Sequence, residues 1–578
     1  MLSRLIDLKL CILMCALGMK LFACEVCRAS ECSEIGDSVL YNELYYIPEM
    51  RKKLVKYWTC TGVISIGNRN SVNETETVQG LQYHLLCQSL VGLTNRAVEI
   101  GKSKMAVWLY DHSEKASYEL SKLALENMNI REHGMRNGLE LACENYERND
   151  GIEVQLRSLF DGYVLTDVKN NPESGIVASV ASHVYNSIIV DVRDEEYFEK
   201  AGYTLKYDAT RKTTLDAWCE FKSQCNNDVL VIMPVQTGEL REFAIKNNLF
   251  VLNLNKRQGD ARYGQNIALL DEVLAWLKPN APVYGWEQGV SEDQFVSRVS
   301  KSGHPMIPCD WSYNHSLTAL LYTERQQLTP ARVIDPRWID YSKKRNYVSF
   351  FLSDGDNVHW MMQDFASRYY TVPEAGKEKM GYGLPVSTLA MMVPVQLGNL
   401  MSLQNPCCSI LEMLGGGYYY VDTYNQNNNR RSNLNIVAGL LATHMRRYNV
   451  RLLGVMAMDA KSAATKEVYQ IYVDANDQLE GIIVLQCSPY AGDEGDILGF
   501  TNKAGYAIPV ITVKYSIWDR THEREGSPDF IATLLKDNMQ DESFSAVCVH
   551  AWSSFEGGLV EQWRLGNAQK DWMNALKL

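Results

Sequence analysis

Beyond its first two dozen residues the chain has no uninterrupted apolar run of roughly eighteen residues, so its body contains no expected membrane-spanning helix. It also lacks a long basic run: 57 Lys and Arg are outweighed by 69 Asp and Glu, for a formal charge of −12. That balance argues against nucleic acid as the main partner and leaves neutral substrates such as sugars open. No glycine-rich dinucleotide fingerprint follows a strand-like run, which disfavours nucleotide binding, and no cofactor is expected. The 10 histidines include no His-x-x-x-His pair, which disfavours zinc deacetylation. A nucleophile elbow, G-x-S-x-G, is absent, which disfavours a serine hydrolase. Cys24-Glu-Val-Cys27 is a lone CxxC with no second pair, so no zinc site is expected there.

What is present is an ordinary globular composition, 46% apolar and 22% charged, in 578 residues, which is too many for one core. Residues 1–24 read as a secretory or lipoprotein signal: Arg4 and Lys9 precede a short apolar run, and "LFAC" ends at Cys24, a candidate lipid anchor. A secreted or cell-surface location is therefore expected. Residues 40–160 read as a first α/β domain and residues 161–330 as a second, in which short apolar strands alternate with helices. Pro330 and Pro336 mark a boundary. Residues 340–578 read as a C-terminal (β/α) barrel-like domain of six or seven parallel strands. Cys407, Cys408, Cys487 and Cys548 lie in its apolar runs and read as buried thiols.

These C-terminal strands are apolar on both faces, as buried parallel strands are. "NYVSFFL" (346–352) runs into Asp354, "CCSILEML" (407–414) into glycines, "RLLGVMAM" (451–458) into Asp459 and "SAVCVH" (545–550) into His550. A further strand is placed near 384–392. In α/β folds ligands sit at the C-terminal ends of parallel strands, so polar residues gathered there mark a candidate site. The sharpest cluster is "SDGDN" (353–357). Asp354 and Asp356 flank one glycine, and two close carboxylates drive their proton affinities apart, as acid/base chemistry needs. Asp422 and Asp459 are alternative partner carboxylates. Asp354, Asp356 and Asn357 together also suit a hard cation, and Asp in a capped turn is a purely structural alternative. His359, one turn further on, can face the same pocket, and His550 and Trp552 can position a sugar.

The segment "LEMLGGGYYYVDTYN" (411–425) sets three glycines against three tyrosines. Gly415, Gly417, Tyr418 and Tyr420 match the G-x-G-Y-x-Y-P signature, and in this respect the chain resembles the GxGYxYP family, described as glycoside hydrolases. "NYVSFFLSDGDNVHW" (346–360) and "VHAWS" (549–553) resemble blocks of that family's C-terminal domain. "LVGLTNR" (90–96), "VYGWEQ" (283–288) and "DWSYNHS" (310–316) resemble blocks of its earlier domains. Val421 departs from the pattern, which has proline there. Alternation in an extended chain points Tyr418, Tyr420 and Asp422 to one side, as a platform or hydrogen-bonding wall; a core-packed aromatic turn is the alternative.

The resemblance implies hydrolysis of glycosidic bonds in a poly- or oligosaccharide by carboxylate chemistry, with Asp354 or Asp356 as acid or nucleophile. A carbohydrate-binding protein without catalysis, and a metal-dependent hydrolase, are the competing expectations.

Overall fold

The computed structural model describes residues 54, 56–61, 74–110, 118–143, 145–147, 153–234, 240–254, 263–286, 291–309, 312–321, 330–333, 342, 346–371, 379–427, 429–487, 492–518, 523–538 and 543–551. The signal segment 1–24 with Cys24, and Trp552, lie outside the described residues.

Three small parallel sheets precede one large one. β1 (Lys56–Thr61) is flanked by β2 (Met105–Leu109) and β3 (Arg131–Asn137). A short antiparallel pair follows, β4 (Asn145–Glu147) with β5 (Glu153–Gln155). The second parallel sheet places β6 (Gly162–Thr166) between β7 (Ser187–Asp191) and β8 (Leu205–Asp208). The third runs in the order β10 (Leu249–Leu252), β9 (Asn226–Ile232), β11 (Val283–Gly285), β12 (Met306–Ile307). The helix Glu74–Glu99 packs against β2, β7 and the helix Arg241–Asn247, and so ties all three together. Its "LVGLTNR" block shows how. The Asn95 amide exchanges hydrogen bonds with both backbone groups of Val107 and donates to Ser316 Oγ at 2.8 Å. A buried amide with several partners fixes register where apolar packing alone would slide.

The large sheet has ten strands. They are β13 (Tyr347–Leu352), β14 (Gly381–Leu384), β15 (Ser409–Glu412), β16 (Leu452–Ala457), β17 (Gly481–Cys487), β18 (Ile497–Thr501), β19 (Ala507–Thr512), β20 (Tyr515–Ile517), β21 (Glu525–Gly526) and β22 (Phe544–Val549). The order is β18-β19-β17-β16-β15-β14-β13-β22-β20-β21, parallel throughout except for β18 against β19. The sheet curls as a half-barrel. β19 pairs with β17, while β20, two residues on, pairs with β22, so one segment touches both ends of the parallel run. The helices Arg430–Arg447 and Ala463–Ala475 pack on one another, and Ser462 Oγ caps the second by accepting from Thr465 N at 3.1 Å.

One strand falls elsewhere than the sequence reading placed it. The strand expected near 384–392 is β14 at Gly381–Leu384, and Val386–Met392 is a helix. "GYGL" is too short and glycine-rich to register as an apolar run, yet its glycines let β13 and β15 close in from either side. Cys408 and Cys548 are buried free thiols, and Cys407 and Cys487 are half-buried ones. Among the described residues no helix is long and apolar enough to cross a membrane.

Candidate active site

The parallel strands of the large sheet deliver their C-terminal ends to one side, and β13 delivers "SDGDN". Ser353 N still donates to Val549 O at 2.8 Å, so the sheet register holds to the last residue before the turn. Asp354 then takes φ +63°, in the left-handed region that aspartate tolerates better than most side chains. Gly355 follows for a steric reason: a Cβ there would lie 1.7 Å from the Gly383 carbonyl oxygen at the end of β14. Only glycine lets this turn lie on the neighbouring strand.

The turn separates the two carboxylates by environment. Asp354 Oδ2 accepts from Ala551 N at 3.0 Å and from the Ser353 hydroxyl, and Oδ1 lies 3.6 Å from His550 Nε2. His550 is stacked on Trp518, with ring centroids 3.7 Å apart and planes 10° off parallel. Asp356 is buried. Burial first, then the negative charge of Asp354 and more weakly that of Glu292, push its carboxyl well above the ordinary range. Asn357 closes the turn, with its backbone N and side-chain Nδ2 both donating to Asp354 O. His359 is buried in the short helix Val358–Met362.

The glycine–tyrosine stretch begins where β15 ends. Gly415 and Gly416 have φ of +70° and +89°, and a Cβ at Gly417 would lie 2.5 Å from Pro305 Cβ. The turn therefore presses against the segment entering β12. Tyr418 and Met306 exchange backbone hydrogen bonds of 2.7 and 3.1 Å, an isolated antiparallel bridge between β12 and the segment that follows β15. Tyr418 OH donates to Glu292 Oε1 at 2.5 Å, and its ring stacks on the half-buried Trp286 at 5.9 Å. Tyr420 is buried and its phenol is pushed upward, by burial first and then by Asp293, Glu292 and Asp422. The Tyr419 hydroxyl instead donates to Gly415 O at 3.0 Å. Glu292 thus connects to both Tyr418 and Tyr420: the Tyr418 hydroxyl donates to it, and its charge acts on Tyr420. Val421 N donates to Met456 O at 3.0 Å, a bond that proline at this position could not make.

Asp422 and Asp459 stand in a different setting. Asp422 Oδ1 accepts from Met458 N at 2.9 Å and Oδ2 from Asp459 N at 3.0 Å, so the carboxylate braces the exit of β16. Asp459 is exposed and its side chain accepts from Lys461 N. Near them, a cleft of about 660 Å³ is lined by Asp271, Asp293, Phe295, Arg298, Lys301 and Met458.

Four further residues stand in this region. Glu292 opens the helix Glu292–Lys301, where an acid reads as ordinary dipole compensation. Trp286 and Trp518 each follow a strand, the signal used for the aspartates but not applied to them. Glu412 ends β15 inside an apolar run. It is fully buried, accepts from Ser387 N and Oγ, and is pushed up to about 8 by burial. Among the described residues no group of three or more His, Cys, Asp or Glu side chains converges as metal ligands would.

Fold and site together define an α/β protein with a carboxylate cluster at the strand ends of a curled parallel sheet. The chain belongs to the GxGYxYP family. Residues 227–319 match the "GxGYxYP third domain", and residues 344–560 match the "GxGYxYP putative glycoside hydrolase C-terminal domain". A crystal structure described as "a putative hydrolase from Bacteroides thetaiotaomicron VPI-5482" is similar in fold. Its TM-score is 0.69 at 16% identity, over 91% of this chain and 92% of that one. No curated protein matches the sequence.

Proposed function

We propose that this protein is an exported glycoside hydrolase acting on a poly- or oligosaccharide, with Asp356 as the proton donor to the glycosidic oxygen. The observation that carries this reading is the environment of Asp356: buried, beside a second carboxylate, and held well above the ordinary carboxylate range. A general acid must keep its proton near neutral pH, and burial beside a like charge is how a carboxyl does so. Asp354 is the charged neighbour, steadied by Ala551 N, Ser353 and His550. Trp286 and Trp518, both half-buried, offer ring faces on which a sugar can stack. In this reading the segment 507–517, paired to both β17 and β22, closes the parallel run into a seven-strand barrel around the site.

The test is sugar release from a panel of natural glycans and from dinitrophenyl glycosides, whose leaving group needs no protonation. Asp356→Asn is expected to lose about 10²–10⁴-fold on the natural glycans and far less on the activated ones. Native activity is expected to fall as pH rises through the raised pKa of Asp356, because the protonated form is the working one. No release by the native protein from any substrate, with a glycan still bound, would make it a binding protein. Release abolished by a chelator and restored by a divalent cation would favour a metal-dependent hydrolase.

A further inference from the structure

Acid-catalysed cleavage of a glycosidic bond needs a second carboxylate across the cleft from the proton donor. Asp354 is poorly placed for that work. It lies two residues from Asp356 in the same turn, and its carboxylate is held by Ala551 N, Ser353 and His550. Asp422 spends both oxygens on backbone N–H groups.

We infer that the second carboxylate is Glu292, supplied by the third sheet's region rather than by the C-terminal one, so that the active site is built across the two. The inference rests on the glycosidase reading above. Its geometry comes from one short segment, 305–308. Pro308 O accepts from Val358 N at 3.0 Å, two residues beyond Asp356. Met306 bridges to Tyr418, and the Tyr418 hydroxyl donates to Glu292 Oε1 at 2.5 Å. The same segment is thus bonded to the chain beside the proton donor and to the tyrosine that holds Glu292. The electrostatics agree, since the charge of Glu292 reaches both Asp356 and Tyr420. Glu292 is half-buried, so water reaches it, whereas Asp356 is buried.

The step balances as follows. Asp356 gives its proton to the glycosidic oxygen as the bond from that oxygen to the anomeric carbon breaks, and the bonding pair goes to the oxygen. A water oxygen bonds to the anomeric carbon from the opposite face. Glu292 takes a proton from that water and later returns it to solvent, while Asp356 is reprotonated. The product carries the inverted anomeric configuration. Tyr418 is the positioning residue: its hydrogen bond orients Glu292 and its ring is fixed by Trp286. The signature glycines and Tyr418 therefore serve the reaction through a residue more than a hundred positions earlier in the chain.

Four full-length proteins separate the possibilities: native, Glu292→Gln, Asp356→Asn and Gln294→Ala, the last an exposed neighbour on the same helix. Each is assayed on natural glycans and dinitrophenyl glycosides. Glu292→Gln is expected to lose about 10²–10⁴-fold on both, because no leaving group replaces an activated water. Asp356→Asn loses mainly on the natural glycans, and Gln294→Ala keeps native rates. Glu292→Ala is expected to regain dinitrophenyl glycoside cleavage with added azide, forming a glycosyl azide, which a merely misfolded variant would not do. Native-like rates in Glu292→Gln, or a product of retained configuration, would overturn the inference and leave the Asp356 reading standing. A native protein that cleaves nothing would overturn both.

Discussion

Two strand ends of the large sheet look alike in sequence and differ in every physical respect. β13 runs into Asp354 and Asp356, and β16 runs into Asp459 beside Asp422. At β16 the Asp422 carboxylate is half-exposed and accepts two backbone N–H groups, 2.9 and 3.0 Å away, while Asp459 faces solvent. At β13 Asp356 is buried in a turn so tight that its glycine lies on the next strand, and a neighbouring charge opposes its ionisation. At β16 a carboxylate braces the backbone through two N–H groups. At β13 burial and a like charge raise the proton affinity of Asp356, which works against its ionisation. Reactivity follows burial and neighbours, and the residue type by itself does not supply it.

This contrast can be broken on purpose. The largest effect on folding is expected from Gly355→Ala, whose Cβ would meet the Gly383 carbonyl at 1.7 Å. Backbone cannot yield as a side-chain tip can, so a loss of about 3 kcal/mol or more is expected in denaturant unfolding. A native-like midpoint would mean that the turn is not pressed on β14 as described. Asp422→Asn comes next. It swaps one acceptor oxygen for an amide N–H facing a backbone donor, at a cost of about 1–3 kcal/mol. Its remaining folded fraction should keep native turnover, the reverse of Asp356→Asn, which should keep the fold and lose turnover. Equal losses of rate in both variants would erase the distinction. Asp459→Asn should change the unfolding free energy by no more than about 0.5 kcal/mol, as surface changes do.

Much of this was legible in the sequence, for identifiable reasons. Buried parallel strands are nearly continuous apolar runs, so β13, β15, β16 and β22 stand out with ends correct to within a few residues. β14 did not, because alternate glycines hide a strand whose neighbours supply its packing. "SDGDN" and the glycine–tyrosine turn were visible because they break apolar runs abruptly. Glu292 was not, because its meaning comes from Tyr418, 126 positions away in sequence. An acid in a helix's first turn is locally complete, and nothing local shows that a second chain segment uses it. Glu412 was hidden by the opposite effect, lying inside the apolar run it terminates. Its burial is a property of the assembled sheet and the helices on it, and its single letter does not reveal it.

The central claim is that burial, reinforced by the charge of Asp354, raises the proton affinity of Asp356, and the pH dependence of sugar release tests the Asp354 share most directly. Native protein and Asp354→Asn are compared over the same pH range on the same glycan. Removing the negative neighbour lowers the proton affinity of Asp356, so the alkaline limb of the profile should move to lower pH in the variant. An alkaline limb in the same place would contradict the account, since the two carboxylates would then be chemically independent.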